Sequence, residues 1–119
     1  MQYDFIEIGT SDMETLIEVC SNDAVGLSIE PIQEYLNMLP DKPNVKKLCM
    51  AIGEMDREAA IYFVHPDIIV KEDLPYFWRG CGSIDMVHPA NTTSTFVEHR
   101  LICMKIGRAS CRERVCNGV

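Results

Sequence analysis

Residues 3–12 read YDFIEIGTSD. Phe5, Ile6 and Ile8 form a short apolar run that meets Gly9-Thr10-Ser11-Asp12, so the stretch predicts a buried strand over residues 4–9 stopped by a turn. Working outward, Ser11 and Glu14 have capping-box spacing, and Met13, Leu16, Ile17 and Cys20 follow at i, i+3, i+4 and i+7. That is one face of a helix. Ser21-Asn22-Asp23 breaks it, and residues 25–29 give a second apolar run ending at Glu30-Pro31. Pro31 suits a first helical turn, and Ile32, Tyr35, Leu36 and Leu39 repeat the helical spacing up to Pro40. After the polar turn Asp41-Lys42-Pro43-Asn44, residues 45–52 predict a third strand. The order β-α-β-α-β with short connections requires parallel strands. The expected fold class is therefore α/β, a Rossmann-like parallel sheet with flanking helices, truncated after roughly its first half.

Beyond residue 52 the pattern loosens. A further strand is expected over residues 59–64, after the turn Glu54-Met55-Asp56-Arg57, and His65-Pro66 ends it. Residues 67–91 mix Pro75, Gly80, Gly82 and Pro89 with the aromatic run Tyr76-Phe77-Trp78, which predicts mostly loop and a short helix over residues 68–73. Residues 96–104 predict one more strand.

Composition sets the outer bounds. The 119 residues suffice for one domain with a core, and 47% apolar against 24% charged residues is the balance of a folded globular chain. A net charge of −7 disfavours nucleic acid and anionic membrane as partners. No run approaches the roughly 18 apolar residues of a membrane span, and the N-terminus lacks the order of a signal peptide, so the expectation is a cytoplasmic chain. The six cysteines are then expected to be reduced thiols. Cys81, His88, His99 and Cys103 match no structural zinc spacing, and no metal is expected. Asn91-Thr92-Thr93 has the form of a glycosylation sequon and means little in a chain that is not exported.

The chemistry concentrates at the strand ends. Ligands of open α/β sheets bind outside the carboxyl ends of the strands, where the turn at Gly9 and Thr10 lies. Gly9 lets backbone approach a ligand, and Glu30, about twenty residues on, is placed for a carboxylate that accepts from both ribose hydroxyls. The span lacks the further glycines of a pyrophosphate-binding turn and offers carboxylates and Met13 instead. A cationic sulfonium with an amino-acid tail suits Glu7 and Asp12 better than a dinucleotide does. Each residue also has a structural reading: Glu7 as a strand-end charge, Asp12 and Glu14 as partners of the helix dipole, Glu30 as a cap before Pro31. The spacing of the set favours the ligand.

YDFIEIGTSDMETL, then GLSIEPI, then a strand ending Cys49-Met50-Ala51-Ile52 resemble the start of a class I S-adenosylmethionine-dependent methyltransferase similar to the FkbM family. The resemblance covers residues 3–52 and continues more weakly to Ser83 and Ile84 in GCGSI. It implies S-adenosyl-L-methionine as cofactor, with Glu7, Gly9, Thr10 and Asp12 around its methionine end, Glu30 at its ribose and Ala51 and Ile52 against its adenine. It further implies methyl transfer, often to oxygen, onto a small-molecule or glycan acceptor in the intact enzyme. Departures exist: Met13 stands where the family often has a second glycine, and the family's acidic fourth-strand motif does not occur. This chain by itself is therefore expected to be inactive. No catalytic residue is assigned, since His65, His88 and His99 qualify by residue type alone. The alternatives are part of a nicotinamide- or flavin-dependent oxidoreductase, or a non-catalytic α/β interaction module using Tyr76-Phe77-Trp78.

The other end of the chain reads differently. Residues 106–115, IGRASCRERV, have no apolar period and hold three arginines. They back-translate as ATC GGA AGA GCG TCG TGT AGG GAA AGA GTG, which resembles a common short-read sequencing adapter. The expected organisation is thus residues 1–105 as the N-terminal part of a methyltransferase domain and residues 106–119 as a non-native tail, excluded from fold reasoning. Residues 116–119 have no assignment.

Overall fold

β1 (Phe5–Ile8), α1 (Leu16–Val19), β2 (Gly26–Ile29), α2 (Gln33–Met38) and β3 (Val45–Leu48) follow one another in the expected alternation. They belong to a computed structural model that describes residues 2–11, 15–80, 82–87 and 97–105. The three strands form a parallel sheet in the order β1-β2-β3. Both steps across the sheet go the same way, so both helices return over the same face. In register, Phe5, Gly26 and Val45 lie side by side on that face, and Phe5 and Val45 pack against Ile17, Leu36 and Leu39 from the helix side. Leu27 and Ile29 point the other way and pack with Met50, Ile52 and Met104.

Gly26 leaves room for the Phe5 ring. A Cβ built there would stand 2.5 Å from Phe5 Cε1 and Cζ, inside the cluster that fastens the helices to the sheet. Gly26→Ala is accordingly expected to cost about 1–3 kcal/mol through overpacking. Urea denaturation would read it, and an unchanged midpoint would show that the ring can swing clear.

The expected third strand is broken. β3 ends at Leu48, and after Cys49 and Met50 the chain enters a second sheet as β4 (Ala51–Gly53). That sheet contains β5 (Arg57–Phe63), β6 (Ser83–Ile84) and β7 (Val97–Lys105) in the order β4-β7-β5-β6. β4 runs parallel to β7, whereas β5 is antiparallel to both β7 and β6. The three residues between β4 and β5 cannot carry the crossover helix that a parallel continuation needs, so the chain reverses there. The molecule is mixed α/β with one parallel and one mixed sheet, not a single parallel sheet through all strands.

The second sheet holds the larger core. Ile61, Phe63, Leu101 and Cys103 from its strands pack with Ala51, Ala59 and with Ile32 and Tyr35 beside α2. The short helix expected over residues 68–73 is α3 (Pro66–Lys71), starting two residues earlier, and the rest of the segment, expected to be loop, contains a 3₁₀ helix (Tyr76–Gly80). Trp78 is buried against Val64 and Ile69 and ties that 3₁₀ helix down. An arginine-carboxylate fork, Arg57 with Asp85, closes the start of β5 against the turn after β6, with Nη1 3.2 Å from Oδ1. The fork holds the Asp85 carboxyl below its ordinary range. Among the described residues no helix is long and apolar enough to cross a membrane. Residues 106–119, with the adapter-like stretch 106–115, lie outside the described residues.

Thr15 precedes α1 in extended conformation and makes no side-chain cap bond, while Ser11 sits at φ +48° in the turn; Glu14, the other half of the expected capping box, lies outside the described residues. The Glu7 carboxylate takes the cap role across the chain, accepting the Leu16 N–H at 2.6 Å. Pro31 likewise lies just before α2, whose N-cap is Ile32, and not inside its first turn.

Candidate functional site

A cleft of about 330 Å³ opens where the carboxyl ends of β1 and β2 face the second sheet. One wall is the turn after β1, with Gly9 and Ser11. Gly9 has φ +78°, a conformation that favours glycine, and a Cβ there would meet nothing within 4 Å. The floor is Glu30 at the end of β2, followed by Pro31, Ile32 and Tyr35 leading into α2. Opposite stand Arg79 and Gly80 from the 3₁₀ helix, Gly82 just after it, and Ile61 of β5.

Glu30 organises this arrangement. Its side chain accepts the Ser11 N–H on Oε1 at 2.7 Å and the Ile32 N–H on Oε2 at 2.8 Å, so one carboxylate ties the β1 turn to the start of α2. Its backbone N–H donates to Leu48 O at 3.1 Å, and the neighbouring Gly9 N–H donates to Ile29 O at 2.7 Å. The residue is only 4% exposed. Burial pushes the Glu30 carboxyl above its ordinary value, and the two N–H donors pull the other way with less effect.

A pH dependence follows. A carboxyl with a raised value binds its proton more tightly folded than unfolded, so its contribution to stability is full below the ordinary range. It is lost as pH rises from there through the folded value. Glu30→Gln cannot titrate. Wild type should gain stability relative to Glu30→Gln as pH falls from neutrality toward the ordinary carboxyl range, in denaturation curves taken across that range. A pH-independent difference between the two would contradict the buried, raised state of Glu30.

The expected site residues divide. Gly9 and Glu30 come together at the cleft as the sequence predicts. Thr10, between Gly9 and Ser11, is buried, and its hydroxyl has no hydrogen-bond partner. Glu7 faces α1 and caps it, outside the cleft lining. Ala51 and Ile52 do not line the cleft either. Ala51 packs behind Ile32 and Tyr35, and Ile52 sits with Leu27 and Met50 on the far face of the parallel sheet. Asp12 lies outside the described residues.

His65 and His99 have structural partners. His65 Nδ1 accepts the Asp67 N–H at 3.1 Å at the start of α3. His99 presents an edge to Phe63, with ring centroids 5.1 Å apart, and its Nδ1 is 3.8 Å from Glu34 Oε1. His88 and Cys81 lie outside the described residues, within which no group of three or more ligating side chains could hold a metal.

Sequence reasoning missed the far wall. Arg79, Gly80 and Gly82 fall in the segment read as loop, although the glycines flanking Cys81 in GCGSI mark a place where backbone packs closely. A Cβ at Gly82 would stand 3.2 Å from Ile32 Cδ1 and 3.6 Å from Ile61 Cδ1. Of the aromatic run, Trp78 is core, while Phe77 is exposed and stacks on Trp78 with centroids 5.0 Å apart.

No family model matches the chain, and no curated protein or solved structure matches it.

Proposed function

We propose that the cleft binds S-adenosyl-L-methionine and that the chain is the cofactor-binding part of a Rossmann-like class I methyltransferase similar to the FkbM family. The observation that carries the reading is Glu30: a buried carboxylate at the carboxyl end of β2, tied through Ser11 to the glycine turn at the end of β1. Its two oxygens accept one backbone N–H each and have lone pairs left for the two ribose hydroxyls. The apolar lining from Pro31, Ile32, Tyr35 and Ile61 suits an adenine ring. Gly9, with open space where a Cβ would stand, and the unpartnered hydroxyl of Thr10 fit the approach of the methionine end. When bound, the cofactor supplies an electrophilic methyl group on a cationic sulfur. The chain's own part is to hold and orient it and to keep its surroundings polar on one side and dry on the other. The acceptor is proposed to be an oxygen of a small molecule or glycan, and no residue here is assigned as its base.

Equilibrium dialysis with labelled S-adenosylmethionine, run beside NADH, tests the proposal. Saturable binding displaced by S-adenosylhomocysteine is the expected result. Binding of NADH without binding of S-adenosylmethionine would replace the reading with an oxidoreductase.

A further inference from the structure

Among the described residues lining the cleft, Glu30 and Arg79 are the charged ones, Glu30 from the end of β2 and Arg79 from the 3₁₀ helix. A nucleoside whose hydroxyls engage Glu30 presents its other end toward the remaining lining, where the one cation is Arg79. We propose that Arg79 determines the ligand's tail: it pairs with the carboxylate of the cofactor's amino-acid end and selects it over nucleosides that lack one. This rests on the cofactor reading above and deepens it.

The position of Arg79 is built, not incidental. Its neighbour Trp78 is buried against Val64 and Ile69, and the Trp78 N–H donates to Pro75 O at 3.1 Å. Three residues after Arg79, Gly82 closes over Ile32 and Ile61, both in the cleft lining. Arg79 is thus held at the cleft by anchors on either side of it, and changing its side chain leaves those anchors in place. Arg79 is half-buried, where a charge pair is screened less than in open solvent. It already has an interaction of its own, and a guanidinium carries five N–H donors, enough to keep that interaction and fork onto a carboxylate. Gly9, Gly80 and Gly82 around it add no side chain that would fill the path between the two charges.

The experiment compares S-adenosylhomocysteine with 5′-methylthioadenosine, which has the same nucleoside and thioether but no amino-acid tail. Titration calorimetry is run on the full chain as wild type, Arg79→Gln and Arg79→Lys. Wild type is expected to prefer S-adenosylhomocysteine. Arg79→Gln should lose about 10- to 100-fold for that ligand, the effect of one charge-assisted pair, with methylthioadenosine binding unchanged. Arg79→Lys should recover part of the loss. Unchanged methylthioadenosine binding also reports that the variant is folded. Equal loss for both ligands, or no loss for either, overturns the role of Arg79 and leaves the cofactor reading standing. Failure of wild type to bind either ligand overturns the cofactor reading itself and this inference with it.

Discussion

Glu30→Ala is expected to lower affinity for S-adenosylhomocysteine by at least about 100-fold, since each hydroxyl hydrogen bond to a charged acceptor contributes about 1.5–3 kcal/mol and two are lost. The same change strips the Ser11 and Ile32 N–H groups of their acceptor. An orphaned buried donor costs about 1–3 kcal/mol, so stability should fall as well, offset in part by removal of a charge that burial already disfavours. Glu30→Gln separates the two effects. It preserves shape and one acceptor but turns an amide donor toward one of the two N–H groups, so binding should drop with less damage to the fold. Calorimetry and urea denaturation on both variants read the split. Equal affinity in wild type and Glu30→Ala would remove Glu30 from the site.

Phe63→Ala should produce the largest loss of stability. Phe63 is 2% exposed in the cluster that joins the second sheet to α2, with its ring against His99. Truncating a buried phenylalanine costs about 3–5 kcal/mol, against a total of about 5–15 kcal/mol for a domain. The thermal midpoint should fall by more than about 10 °C, or cooperative melting should vanish. Because Ile32 and Tyr35 share this cluster and also line the cleft, ligand affinity should weaken with it. A shift of only a degree or two would mean that the second sheet is not packed as described.

The first fifty residues were legible because their signals are local. The apolar run before Gly9 gave β1, although the strand expected to be buried is an edge with Ile6 and Ile8 exposed, and the spacing of Ile32, Tyr35, Leu36 and Leu39 gave α2, with all four residues buried. The junction of Gly9 with Glu30 was legible too, since strand order alone brings those two ends together. What escaped depends on distant partners. No turn residue marks Cys49 and Met50, and an apolar run does not say which sheet each half will join. The bond from the Leu16 N–H to Glu7 escaped because its acceptor lies nine residues upstream. Ala51 was placed beside adenine by resemblance, and the break before β4 puts it behind the cleft wall. Arg79 was invisible because its approach to the cleft is set by the burial of Trp78, and a tryptophan beside glycines and prolines reads as loop.

Among the described residues β1 pairs with β2 alone, as an edge strand, and Ile6 and Ile8 on it are 44% and 46% exposed. Edge strands with apolar side chains promote association between chains. Samples for solution work therefore call for low concentration and a check of oligomeric state.

The proposed place of an adenosine ligand between Glu30 and the Gly9 turn is tested most directly by titrating the ¹⁵N-labelled chain with S-adenosylhomocysteine and recording amide correlation spectra. Saturable shifts are expected at Gly9, Ser11 and Ile32, whose amides surround the ligand or donate to Glu30, and at Gly80 and Gly82 across the cleft. The amides pairing β5 with β7 should stay where they are. No shifts at millimolar ligand, or shifts confined to residues away from the cleft, would contradict it.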